Sequence, residues 1–279
     1  MGPRRVGWVV LLAGLWGDGW AQPVAAAAQL ALGQRVYEGN CAVCHGLLGD
    51  GRGMAAHMFR TQPRDFRQGV FKFRSTPSGS LPRDEDLLRV LQRGVRGTAM
   101  VPQTHLSEAE QRAVIAYLKT FSPRWREEKP APPIPIPPPP PLTPARLAQG
   151  KALYAQAGCD QCHGPEGRGD GPQAETLEDD WGWPIRPANL QRRPFKGGSR
   201  PADLYRTLAT GLDGTPMPAL AEALSPEELW ALVYYLDSLA SPAARANEQR
   251  WVGEEARGAM VERMHRRMGG GMPMRMRRP

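Results

Sequence analysis

Cysteine is scarce, with four in 279 residues. A secreted scaffold stapled by disulfides is excluded, so the core must come from packing or from a bound group. Long apolar runs are missing as well. None approaches the roughly 20 residues that cross a bilayer, which excludes a polytopic membrane protein. No stretch of useful length alternates apolar with polar residues, so a sheet is not expected. Glycine (31) and proline (29) are plentiful, together about a fifth of the chain against an average of roughly 12%, and long loops are expected.

Charge is divided unevenly. The chain holds 36 Lys/Arg and 28 Asp/Glu, net +8. Residues 29–128 hold 15 and 10, net +5, while residues 142–241 hold 9 and 13, net −4. Residues 242–279 hold 9 Arg and 4 Glu, net +5. A basic half, an acidic half and a basic tail suggest different partners for the two halves. Nucleic acid is not among those expected, because the basic residues form no recognised binding motif.

Residues 1–21 have the anatomy of an export signal. Arg4 and Arg5 precede an apolar run at 6–16, and Gly19-Trp20-Ala21 supplies a small-x-small cleavage pattern. Ala26-Ala27-Ala28 is a second candidate cleavage site. Further on, ten of the fifteen residues between Pro130 and Pro144 are proline. Their rings fix φ and remove N–H donors, so neither helix nor central strand can form there. An extended spacer of up to roughly 45 Å is expected, and with it some relative movement of the flanking domains.

The flanks of that spacer repeat one another. Gly33 and Tyr37 correspond to Gly150 and Tyr154, and Cys41-Ala-Val-Cys44-His45 corresponds to Cys159-Asp-Gln-Cys162-His163. Gly97-Thr-Ala-Met100 corresponds to Gly214-Thr-Pro-Met217, and Ser107–Glu110 with Tyr117 to Ser225–Glu228 with Tyr235. The offset stays at 117 or 118 residues, which marks an internal duplication. The expected organisation is a signal at 1–21, a domain at 29–128, a linker at 129–144, a second domain at 145–241 and a tail at 242–279. Ser107 and Ser225 each open a capping box before an apolar helical stripe. Both halves read as all-α.

Cys-x-x-Cys-His uses every cysteine of the chain. For this composition a chance match is on the order of one in a thousand, and the motif is the signature of c-type haem attachment. Two thiols three residues apart lie on one face of a helical turn, placed to add to the two vinyl groups of one porphyrin. The adjacent His45 or His163 then presents its imidazole to the iron. A zinc ribbon would need its cysteine pairs about 15–20 residues apart, not 118, and a thioredoxin motif would need a βαβ setting. Gly49-x-Gly51-x-Gly53 and Gly167-x-Gly169-x-Gly171 neither follow a strand nor open a helix, so close backbone packing accounts for them better than a phosphate loop does.

On these motifs the chain resembles the class I c-type cytochromes, specifically the two-domain diheme members, over about 30–128 and 143–241. The resemblance implies two tandem cytochrome c domains and two haem c groups. It also implies a crossing of an N-terminal Gly/Tyr helix with a C-terminal Tyr helix in each half. A late-loop methionine would be the sixth iron ligand, Met217 in the second half. In the first half Met54, Met58, His57 and His105 compete, and the duplicated Gly-Thr-x-Met pattern favours Met100. A proline carbonyl would orient each proximal imidazole, with Pro63 and Pro187 as candidates. Trp181 and Trp183 either cover the second haem edge or fill core.

The function implied is a periplasmic carrier of single electrons with redox protein partners, such as a dehydrogenase, a quinol-oxidising complex or a terminal oxidase. At most, peripheral contact with a membrane is expected. The rival is an enzyme resembling the diheme cytochrome c peroxidases, which needs one iron with a labile sixth position. Six methionines and His265 in the tail suggest an anion-docking extension, or a Cu(I) site through soft thioethers.

Overall fold

The computed structural model describes residues 21–247. The proposed signal and most of the Met/Arg-rich tail lie outside the described residues. Within them the architecture is helical, without a strand and with one isolated bridge between Glu178 and Pro184. None of these helices is long and apolar enough to cross a membrane.

The first half holds α1 (Ala21–Asn40), α2 (Ala42–His45), α3 (Asp84–Arg93), α4 (Glu108–Lys119) and α5 (Arg124–Glu127), with a 3₁₀ turn at Ala56–Met58. The second half holds α6 (Pro144–Gln156), α7 (Cys159–His163), α8 (Pro201–Thr210) and α9 (Pro226–Ser238). Both capping boxes form. The Ser107 amide donates to the Glu110 carboxylate at 2.8 Å, and the Ser225 amide to Glu228 at 2.9 Å. Pro226 takes the first turn of α9, where its missing N–H costs nothing.

In each half the first long helix crosses the last, α1 on α4 and α6 on α9. A β-carbon at Gly33 would collide with the Ala113 carbonyl and come within 2.8 Å of Tyr117 Cβ. One at Gly150 would collide with the Ala231 carbonyl and come within 2.9 Å of Tyr235 Cβ. Glycine lets the two backbones touch there. Tyr37 and Tyr117 pack with centroids 5.5 Å apart, and Tyr154 and Tyr235 with centroids 5.3 Å apart. Around these crossings the cores close, with Val36, Leu91, Val114 and Ile115 buried in one, and Leu153, Leu229, Leu232 and Val233 in the other.

The proline-rich segment is not a free spacer. Two of its N–H groups are bound, Ala131 donating to Ser80 Oγ at 3.1 Å and Ile134 to the Ser75 carbonyl at 2.8 Å. Its carbonyls accept in turn, Pro137 from Trp230 Nε1 at 3.2 Å and Pro140 from the Tyr234 hydroxyl. Ile134 and Ile136 pack against the second core. Proline removes donors but leaves strong acceptors, so an extended run binds wherever side-chain donors await it. The segment is a strap.

The halves also pack directly, against the expectation of a free spacer that lets them move relative to one another. Arg74, with its side chain 0% exposed, donates to the Thr210 carbonyl at 2.7 Å and pairs with Asp213 at 2.7 Å. Asp213 also accepts from Ser78 Oγ and the Gly79 amide, both at 2.8 Å. A short stretch of one half is thereby clamped to the loop after α8 of the other.

Candidate haem sites

Each Cys-x-x-Cys-His motif forms a single helical turn, α2 or α7, directly after the long helix of its half. The hydroxyl of Tyr37 donates to the Gly46 carbonyl at 2.8 Å, and that of Tyr154 to the Gly164 carbonyl at 2.7 Å. The glycine loops then fold back over the turn. Gly51 and Gly53 amides donate to the His45 and Cys44 carbonyls at 2.9 and 3.0 Å. Gly169 and Gly171 donate to His163 and Cys162 at 2.7 and 3.2 Å. A β-carbon at Gly53 would lie 2.5 Å from two carbonyl oxygens of α2. These loops cap the turn that carries the cysteines and histidine, which is the close packing expected of them.

Both imidazoles are held alike. His45 Nδ1 lies 3.0 Å from the Arg64 carbonyl, and His163 Nδ1 lies 2.9 Å from the Ala188 carbonyl. Burial lowers the pKa of each ring, so both are neutral near pH 7. With the Nδ1 proton donated to a carbonyl, the Nε2 lone pair is left for a metal. The assignment of Pro63 and Pro187 to this role is corrected by one residue. The Pro63 carbonyl faces Gly51 and that of Pro187 faces Gly169, while the following carbonyl reaches the ring. Phe66 stacks on the His45 ring at 4.5 Å.

The methionine loops repeat one another bond for bond. Thr98 Oγ1 donates to the Val95 carbonyl at 2.6 Å and accepts from the Met100 amide at 3.1 Å. Thr215 Oγ1 donates to the Leu212 carbonyl at 2.6 Å and accepts from the Met217 amide at 3.3 Å. The chain then closes on itself, with Val95 N to Met100 O at 2.7 Å and Leu212 N to Met217 O at 3.1 Å. Met100 and Met217 both pack against the core of their own half. The competitors in the first half point elsewhere. Met54 is 82% and Met58 72% exposed, His57 is exposed, and exposed His105 sits 2.9 Å from Asn40 Oδ1.

The residues fit a porphyrin better than a bare metal. Among the described residues no group of three His, Cys, Asp or Glu side chains is placed to hold an ion. All four cysteines are free, and burial pushes the Cys41 and Cys159 thiols up to about 11. Each half also buries one indole N–H without a protein acceptor, Trp125 Nε1 and Trp181 Nε1. Buried donors of this kind want a partner, and a carboxylate-bearing group supplies one. Trp181 neither fills a core nor stands free, because the Arg64 guanidinium lies 4.1 Å over its ring. Trp183 is largely exposed.

Sequence reasoning passed over two features. Asp86 and Asp203, 117 residues apart, are buried in the first turns of α3 and α8 and pair with Arg89 and Arg206. Their duplicated Arg-x-x-Asp-Leu-x-Arg pattern, at 83–89 and 200–206, was the available signal. The Arg64–Trp181 contact had none, since nothing in the spacing joins the two halves there.

Comparison with known proteins bears on the identity of the group. The family model for cytochrome c matches residues 30–122 and again 147–240. A search of curated proteins gives no match. Among solved structures, a chain of the Kuenenia stuttgartiensis reducing HAO-like protein complex is 43% identical, with a TM-score of 0.74. The alignment covers 75% of the present chain and 96% of that one. Two matched regions, each enclosing one Cys-x-x-Cys-His turn, imply two c-type haems, and the chain belongs to the cytochrome c family as a tandem of two of its domains.

Proposed function

We propose that the protein is an exported, periplasmic diheme carrier of single electrons. Cys41 and Cys44 would hold one haem by thioethers, and Cys159 and Cys162 the other. His45 with Met100, and His163 with Met217, would bind the irons. Bound haem supplies reversible one-electron chemistry at iron. The chain's own residues do the rest. Arg64 and Ala188 carbonyls fix the imidazole tautomer, and the threonine-braced loops present thioethers that favour the reduced state. A carrier needs no open coordination position. The observation that carries this reading over a peroxidase-like one is the identical bracing of Met100 and Met217.

The basic first half and acidic second half suit two redox protein partners of opposite charge, meeting through small transient interfaces. A dehydrogenase, a quinol-oxidising complex and a terminal oxidase are the candidate classes. A second reading, a redox subunit within a larger enzyme assembly, is favoured by the membership of the 43% identical chain in a complex. A partner chain retained through purification at high salt would select this second reading.

Spectropotentiometry on the purified protein tests the ligation. Met100→Ala and Met217→Ala are each expected to remove about half of the methionine-to-iron charge-transfer absorption and to lower one of two potentials. An undiminished band in either variant contradicts the assignment.

A further inference from the structure

The two halves orient their imidazoles with the same bond but not with the same residue. In the second half the carbonyl belongs to Ala188, whose side chain is a methyl group. In the first it belongs to Arg64, whose side chain leaves its own half. The guanidinium lies 4.1 Å over Trp181, and the ring of Trp181 rests on Gly214 at the root of the Met217 loop. A β-carbon at Gly214 would lie 2.6 Å from Trp181 and 3.1 Å from Arg64 Nη1, so both side chains press on that glycine.

The turn under Trp181 is firmly built. Asp179 Oδ1 accepts the Trp181 and Trp183 amides at 3.0 and 3.1 Å, and the Asp180 amide donates to the Gly214 carbonyl at 3.3 Å. Asp65, Asp179 and Asp180 attract Arg64, and Lys72 stands near it as a like charge. Burial pushes the Arg64 pKa down only to about 10, which leaves it charged at neutral pH. The turn falls where the second half is six residues longer than the first. From histidine to orienting residue is 19 residues in the first half and 25 in the second.

From this asymmetry we infer that Arg64 is a positioning residue through which the second half sets the reduction potential of the first. Its carbonyl binds His45, and its guanidinium, seated on Trp181, is a positive charge close enough to act on that ring. The inference rests on the two-haem reading above. A nearby cation disfavours the ferric state more than the ferrous and so raises the potential, and a low-dielectric seat strengthens the effect. Ala188 gives the second half no such charge.

The test is spectropotentiometry on the intact diheme protein, with the waves assigned by Met217→His, which lowers the second one. Arg64→Met is expected to lower the first wave by on the order of tenfold in the redox equilibrium, about 59 mV for one electron. The second wave moves less than the first. Arg64→Lys retains most of the potential because the charge survives. Trp181→Leu lowers the first wave less than Arg64→Met does, and in the double variant the two effects do not add. An unmoved first wave, equal movement of both waves, or Lys behaving as Met does would overturn the inference. A wild type with one wave or without a methionine band would instead contradict the proposed function.

Discussion

A methyl group at Gly150 has nowhere to go, because it meets the Ala231 carbonyl of α9 and then Tyr235. Gly150→Ala must push the helices apart, and overpacking of this kind costs about 1–3 kcal/mol. Denaturant unfolding of the haem-loaded variant should show that loss, as should Gly33→Ala, whereas unchanged midpoints would mean that the crossings are not close-packed. Both glycines were legible in the sequence, since each sits four residues before a tyrosine and eight or nine before the first cysteine of its motif. The carbonyl that holds each imidazole was legible only to within one residue. Proline marks where the chain turns, but successive carbonyls of an extended segment point to opposite sides, and the inward one follows from the whole loop.

At the scale of elements, the helices that carry apolar stripes and capping boxes could be read directly, while α3 and α8 could not. They are short, ten residues each, and each carries a buried aspartate in its first turn. Asp203 is 3% exposed and accepts from Arg200 at 3.0 Å and Arg206 at 2.9 Å. Burial alone would raise its pKa, but the two arginines outweigh it and hold the carboxyl below its ordinary value. A carboxyl depressed in the folded state stabilises above its unfolded pKa of about 3.9 and loses that contribution as pH falls through the folded value. Thermal melts should therefore show Asp203→Asn less stable than wild type at pH 7. The gap should narrow from about pH 4 downward. A gap independent of pH would mean that the ion pairs do not stabilise α8.

At the scale of the molecule, composition announced a boundary between two halves but not how they meet. A proline run specifies an extended shape and says nothing about which donors will bind it. The partners, Trp230 and Tyr234, lie one turn apart on α9, nearly a hundred residues later. Arg74 is the other unread link, a fully buried cation whose partner Asp213 belongs to the opposite half. Removing one member of a buried pair costs about 3–5 kcal/mol. Calorimetry of Arg74→Met should accordingly show lowered stability and separate transitions for the two halves, where one unchanged transition would contradict the clamp.

The duplicated Cys-x-x-Cys-His turns carry the weight of the whole account. Intact mass spectrometry of the protein, purified from its exported form and denatured in acid, tests them most directly. The account predicts the mass of the chain plus two haems, which persist without the fold because sulfur bonds hold them. A mass showing bare polypeptide, or only one haem per chain, would contradict it.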